Sequence, residues 1–217
     1  MSCGLGDCQY LIAACIDKRP AFMHLEQLEG WQGMVDGEIA AIGNACGNGW
    51  RKVFNVYAKL LWALAKDPVI AKALRPALSS VANFDRWQDY RDACLLRSYS
   101  GTALLFSEPC FSEPTSSGSV LNETGSVLKE PGSVLKAPSE GAENQPLHII
   151  MGRGYGKALA CKAEAPYSLE WLNDAFAIDR HRRVIVCPYF DYRQLSDARI
   201  DTLVGLVKSL SAQDSGR

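Results

Sequence analysis

Two polar loops in the last third of the chain carry the residue types best suited to holding a ligand. The first, Gly152-Arg153-Gly154-Tyr155-Gly156-Lys157, follows the apolar run Leu147-His148-Ile149-Ile150-Met151. Glycines between a strand and a helix let backbone N–H groups approach an anion, and Arg153 and Lys157 add positive charge. The spacing is neither G-x-G-x-x-G nor the Walker pattern, so dinucleotide and nucleoside triphosphate sites gain little support, and a tight strand-to-helix turn explains the glycines equally well. The second loop, Pro188-Tyr189-Phe190-Asp191-Tyr192-Arg193-Gln194-Leu195-Ser196, follows Val184-Ile185-Val186-Cys187. Aromatic rings interleaved with Asp191, Arg193, Gln194 and Ser196 suit a flat base or ring, the structural alternative being that the rings cover the end of a sheet.

Two further clusters are basic. Gly47-Asn48-Gly49-Trp50-Arg51-Lys52 places two cations in the first turn of a helix, where the helix dipole disfavours them. That points either to an anionic partner or to a solvated helix start. Arg180-His181-Arg182-Arg183 precedes the fourth apolar run, whereas Arg193 and Arg199 follow it. A strand of this length spans roughly 17 Å, so the two groups cannot form one patch. Only Arg193 and Arg199 share the ligand side with Arg153 and Lys157, and the Arg180 cluster reads as a solvated edge.

These loops must be positioned by the apolar runs before them. Unbroken runs of four or five apolar residues suit strands buried on both faces, as in parallel sheets, whose ligands sit beyond the strand carboxyl ends. Residues 10–16 form the first such run, broken at Asp17-Lys18-Arg19-Pro20, and residues 102–106 the second. A long helical region is predicted between them. Val53, Val56, Tyr57, Leu60, Leu61 and Leu64 recur at helical spacing, widened by Phe54 and Trp62. Asp67-Pro68 ends that helix and caps the next. Further helix is predicted over residues 84–97 and 158–177, and a last one after Ser196 or Asp197 with Ile200, Leu203, Val204, Val207 and Leu210 on one face. The pattern predicts an α/β fold, a three-layer α/β/α sandwich around a mainly parallel sheet of about four strands.

Residues 107–146 differ in character. Phe106-Ser107-Glu108-Pro109 is echoed by Phe111-Ser112-Glu113-Pro114, and three consecutive heptapeptides follow, GSVLNET, GSVLKEP and GSVLKAP. Adjacent Val-Leu pairs with Gly in each copy exclude a coiled coil and predict a disordered insertion. Residues 1–106 and 147–217 are left as one α/β domain.

The chain has 217 residues, 47% of them hydrophobic, enough for a sizeable core, and a formal charge of −1 that offers nucleic acid no global attraction. Eight cysteines without a C-x-x-C pair and only three histidines give a zinc site little support, so reduced thiols, no metal and no cofactor are expected. With no apolar stretch near 18 residues and no basic-then-apolar leader, a soluble cytoplasmic protein without membrane contact is expected.

The layout resembles the uracil-DNA glycosylase-like superfamily, whose four-stranded parallel sheet ends its first strand in Asp or Asn near Pro and an aromatic, and its last strand in His-Pro-Ser. The resemblance implies that Asp17 positions water, that Pro20 is the loop proline and that Phe22 stacks on the base. It also implies that Cys187-Pro188-Tyr189 stands at His-Pro-Ser, with residues 193–199 in the stretch that enters DNA. Asp17 and Cys187 would then be the catalytic pair. A thiol is a poor donor, however, and losing one such donor typically costs about 100- to 1000-fold in rate. The expected function is therefore nucleobase or nucleic-acid binding, with catalysis in question. The alternatives are an enzyme or sensor holding a phosphorylated metabolite at residues 152–157 and 47–52, and a non-catalytic interaction protein that uses its insertion.

Overall fold

A computed structural model of the chain describes residues 3–111, 145–162 and 165–214. In chain order its elements are β1 (Gly4–Gly6), β2 (Ile12–Cys15), β3 (Trp31–Gln32), α1 (Glu38–Ala45), α2 (Asn48–Lys66), α3 (Pro68–Ala73), α4 (Arg75–Leu78) and α5 (Trp87–Ala93). They continue with β4 (Thr102–Leu105), β5 (Leu147–Met151), α6 (Arg153–Ala160), β6 (Glu170–Trp171), β7 (Ala177–Asp179), β8 (Val184–Cys187) and α7 (Asp197–Asp214). The described residues up to Pro109 and from Gln145 onward group into one compact unit. The repeats of residues 118–138 lie outside the described residues.

The fold is α/β. The strands form one eight-stranded sheet in the order β3-β1-β4-β2-β5-β8-β7-β6. Its centre, β4-β2-β5-β8, is parallel throughout, with Ala14 paired to Leu104 and Ile149, and Ile149 paired to Ile185. These are the four strands expected from the apolar runs. Four more were missed because each has only two or three residues, too few to show a period: β1 and β3 extend one edge, and β7 and β6 run antiparallel along the other.

The predicted helix over 158–177 is replaced by the end of α6 and the β6–β7 hairpin. Asn173 forms the hairpin turn, its Oδ1 accepting the N–H groups of Ala175 at 2.8 Å and Phe176 at 2.9 Å. This local side-chain bond offers the backbone an alternative to helix. The region after Pro20 is likewise less helical than expected. It holds a single 3₁₀ turn (Leu25–Gln27) and β3 before α1 begins, and Gly33 there lies so close to Ser98 that a Cβ would sit 2.1 Å from its Oγ. The helix over 84–97 shortens to α5 because Leu96 takes φ +57°, outside the helical region.

Strand side chains alternate between faces. Ile12, Ala14, Leu147, Ile149, Ile185 and Cys187 join one core cluster with α2 and α7. α2 supplies Val53, Phe54, Tyr57, Leu60, Leu61 and Leu64 to it, and α7 supplies Ile200, Leu203, Val207 and Leu210. Asp67 caps α3 as expected, its Oδ1 accepting the N–H groups of Val69 and Ile70. On the other face, α6 lies so tightly on β8 that a Cβ at Gly156 would meet Val186 Cγ1 at 2.6 Å. Tyr57 fixes α2 to the sheet: its hydroxyl donates to the Ala103 carbonyl at 2.9 Å and lies 3.3 Å from that of Ile12. Tyr57→Phe is expected to lower unfolding free energy by about 1 kcal/mol, measured by urea denaturation.

His148 lies on the second face, fully buried, its Nε2 sharing a 3.1 Å hydrogen bond with the Tyr10 hydroxyl. Burial lowers its pKa from 6.5 to about 4. A folded-state value below the unfolded one means the unfolded chain binds the proton first, so this contribution is complete above pH 6.5 and is lost as pH falls toward 4. Denaturation at a series of pH values is expected to show a loss of up to about 3 kcal/mol across that window. The slope should flatten in His148→Gln.

Candidate ligand site at the strand carboxyl ends

Parallel pairing brings the ends of β2, β4, β5 and β8 to one side of the molecule. Asp17 follows β2 and is exposed, Phe106 and Glu108 follow β4, Gly152 follows β5, and Tyr189 and Asp191 follow β8. The N-terminus of α2 reaches the same side. Trp50 meets Phe106 edge-on at 6.4 Å between centroids, and Lys52 Nζ lies 2.7 Å from Asp191 Oδ2 and 4.8 Å from the centre of the Tyr192 ring. Residues 47–52 and 188–193, distant in sequence, are thus joined by one ion pair. Its side chains are only 15% and 20% exposed, so water screens it less than a surface pair.

Three phenols share the neighbourhood. Burial, aided by the nearby charges of Asp17 and Asp191, raises the pKa of Tyr189. Burial also raises Tyr155, in the first turn of α6, with Cys15, Glu108, Tyr167 and Asp17 adding to it. Tyr167 is pushed up to about 12 by burial, with Glu108 and Cys15 contributing. All three therefore remain neutral donors at physiological pH, beside the carboxylates of Asp17 and Glu108. Such a set can hydrogen-bond a polar, uncharged ring from both directions. Among the described residues, no three His, Cys, Asp or Glu side chains converge as a metal site would require.

Three of the cations nearby are engaged. Arg19 donates from Nη1 to the carbonyls of Leu28 at 2.9 Å and Glu26 at 3.1 Å and from Nη2 to Cys3 Sγ at 3.0 Å, with its guanidinium 5.7 Å from the Phe106 ring centre. Arg153 lies 3.6 Å from Asp174 and Lys157 stands 5.4 Å from the Trp171 ring centre, both toward the β6–β7 hairpin. The glycines of this loop serve the turn. Gly152 takes φ +97° and donates its N–H to the Cys187 carbonyl at 2.9 Å, Gly156 packs on Val186, and only Gly154 faces open space.

Of the residues expected to bind or react, Asp17, Tyr189 and Asp191 fall together. Cys187 does not join them. Its side chain is fully buried among core residues, its thiol donates to the Pro188 carbonyl at 3.3 Å, and burial pushes its pKa up. The alternation of β8 explains this, since Cys187 shares a face with Ile185, a core position. Pro20 and Pro188 are buried, and Phe22 is half-buried and packed against the core. Arg193 and Arg199 are exposed, and Arg199 donates to the Gln194 carbonyl. The Arg180 cluster is solvated only in part, because Arg183 is buried with φ +53°. Sequence reading missed the Lys52–Asp191 pair, Glu108, Tyr155 and Tyr167. Tyr155 was visible within the glycine-rich loop, but the other contacts join segments that no local pattern relates.

A mostly parallel α/β sheet defines only a broad class of fold, one that hosts many unrelated functions. Within it, the chain belongs to DUF6942, a family of unknown function that it matches over residues 3–208. No curated protein and no solved structure matches the chain. Among the described residues, no helix is long and apolar enough to cross a membrane.

The hydrogen bond from Lys52 is the main cause of the depressed Asp191 pKa, followed by the N–H of Arg193. Lys52→Met is therefore expected to raise Asp191 toward its ordinary value of 3.8, read from the carboxyl carbon shift in an NMR pH titration. An unmoved titration would show that the pair does not persist in solution.

Proposed function

We propose that the chain binds a nucleobase, free or within a single strand, at the carboxyl end of the parallel strands. The Asp17 carboxylate accepts a ring N–H, Tyr189 supplies a stacking face and a hydroxyl donor, and Tyr155 donates from the end of β5, which lies between β2 and β8. The observation that carries this reading is the half-buried Tyr189 within electrostatic reach of both Asp17 and Asp191. It fits the resemblance to uracil-DNA glycosylases, in which groups after the first and last strands act on one base.

The proposal is for binding rather than excision. A buried Cys187 offers no donor to a departing base, and without such a donor glycosylic cleavage loses roughly 100- to 1000-fold in rate. A phosphorylated metabolite is the weaker reading. Lys52, Arg153 and Lys157 are turned to Asp191, Asp174 and the Trp171 ring, and the exposed Asp17 would repel a phosphate placed beside it, Glu108 being paired with Lys162.

The test is fluorescence anisotropy of a labelled single-stranded oligonucleotide, with and without uracil, at low and moderate salt. Saturable binding is expected, weakened about 5- to 100-fold in Tyr189→Ala and changed far less by salt. Equal binding by an Asp17→Asn, Tyr189→Ala double variant would sink the reading.

A further inference from the structure

The first turn of α2 presents its two cations to different neighbours. Lys52 faces Asp191, whereas Arg51 lines a separate cavity of about 120 Å³ between α1 and α2. Four of the lining side chains are donors: Arg51, Arg91, Asn44 and Asn55. The rest of the lining, which includes Ile39 and Phe54, is apolar, and no carboxylate lines the cavity.

Neighbouring residues position part of this set. A Cβ at Gly43 would lie 3.6 Å from Arg51 Cβ, so α1 and α2 are in ordinary van der Waals contact beside the cavity. Arg91 is held on three sides: it donates to Asp92 from Nε at 2.7 Å and Nη2 at 2.9 Å, its guanidinium is 5.8 Å from the Trp87 ring centre, and Nη1 donates to Asn55 Oδ1. Because Asn55 accepts with its oxygen, its amide NH₂ group is the part left to turn elsewhere. Asp92 offsets part of the Arg91 charge, but among the described residues Arg51 forms no ion pair. Two amides and the exposed Arg51 thus line a small, largely apolar space beside Arg91, whose charge Asp92 offsets in part.

We infer that this cavity is a binding site for a small oxyanion, a phosphate or a short carboxylate, bound by the guanidinium of Arg51 and the amides of Asn44 and Asn55. Its volume admits one such group and excludes a whole nucleotide, which needs a pocket of roughly 300 Å³ or more. Anion contacts with a guanidinium are short and about twice as strong as neutral hydrogen bonds, and an apolar floor strengthens them further. The inference accounts for the cation that the α2 dipole disfavours at Arg51. It is independent of the base site, since neither Asp17 nor Tyr189 takes part.

The test is isothermal titration calorimetry of the full chain with inorganic phosphate, with acetate and with a nucleoside monophosphate, against chloride at matched ionic strength. Saturable heat with phosphate or acetate, but not chloride, is expected, and the two arms assign the site to phosphate or carboxylate. Affinity should fall about 10- to 100-fold in Arg51→Gln, and also in Asn55→Asp, which puts a carboxylate into the cavity. The Asp17→Asn, Tyr189→Ala variant should bind unchanged. Heat equal to that of chloride, binding of the nucleoside monophosphate alone, or full binding in both Arg51→Gln and Asn55→Asp would overturn the inference.

Discussion

The seating of α2 on the parallel sheet is the interaction on which the rest depends. A parallel sheet must bury both faces, and one face here is covered chiefly by a 19-residue helix whose apolar side runs from Val53 to Leu64. The buried Tyr57 hydroxyl ties that helix to the carbonyls of β2 and β4. An unmade bond at such a place costs about 1–3 kcal/mol, a sizeable share of a typical domain's stability. Because the helix is long and fixed mid-length, its first turn is carried to the strand carboxyl ends. There Trp50 closes over Phe106 and Lys52 reaches Asp191.

That placement decides the electrostatics of the site. Read along the chain, residues 47–52, 152–157 and 188–199 look basic, and an anionic ligand seems the natural partner. In the fold four of the nearby cations are engaged, Lys52 with Asp191, Arg19 with carbonyls, and Arg153 and Lys157 toward the hairpin, whereas Arg193 stays exposed. At the strand ends Asp17 stays exposed, Glu108 pairs with Lys162, and the phenols of Tyr155, Tyr167 and Tyr189 stay neutral.

The sequence was most legible where burial imposes a strict pattern. The central strands β5 and β8 match their apolar runs residue for residue, and α2 is readable from the spacing of Val53, Tyr57, Leu60 and Leu64. The Asp67-Pro68 junction carried its own capping chemistry. Strands of two or three residues left no such trace, and the Asn173 turn overrode an otherwise helical stretch. Asp17, Tyr189 and Asp191 stand just after β2 and β8, as the apolar runs before them predict. Cys187 was misplaced for want of the strand's phase: its neighbour Val186 faces α6, and only that contact turns the thiol into the opposite core. Lys52–Asp191 spans 139 positions, beyond the reach of any local rule.

Backbone amide chemical-shift mapping of the isotopically labelled chain during titration with uridine and other nucleosides tests the central claim most directly. The account predicts saturable shifts clustered after β2, β5 and β8, at Asp17, Tyr155, Tyr189 and Asp191, with the distant β7–β8 turn unmoved. Absence of shifts at saturating nucleoside, or shifts confined to residues away from the strand carboxyl ends, would contradict it.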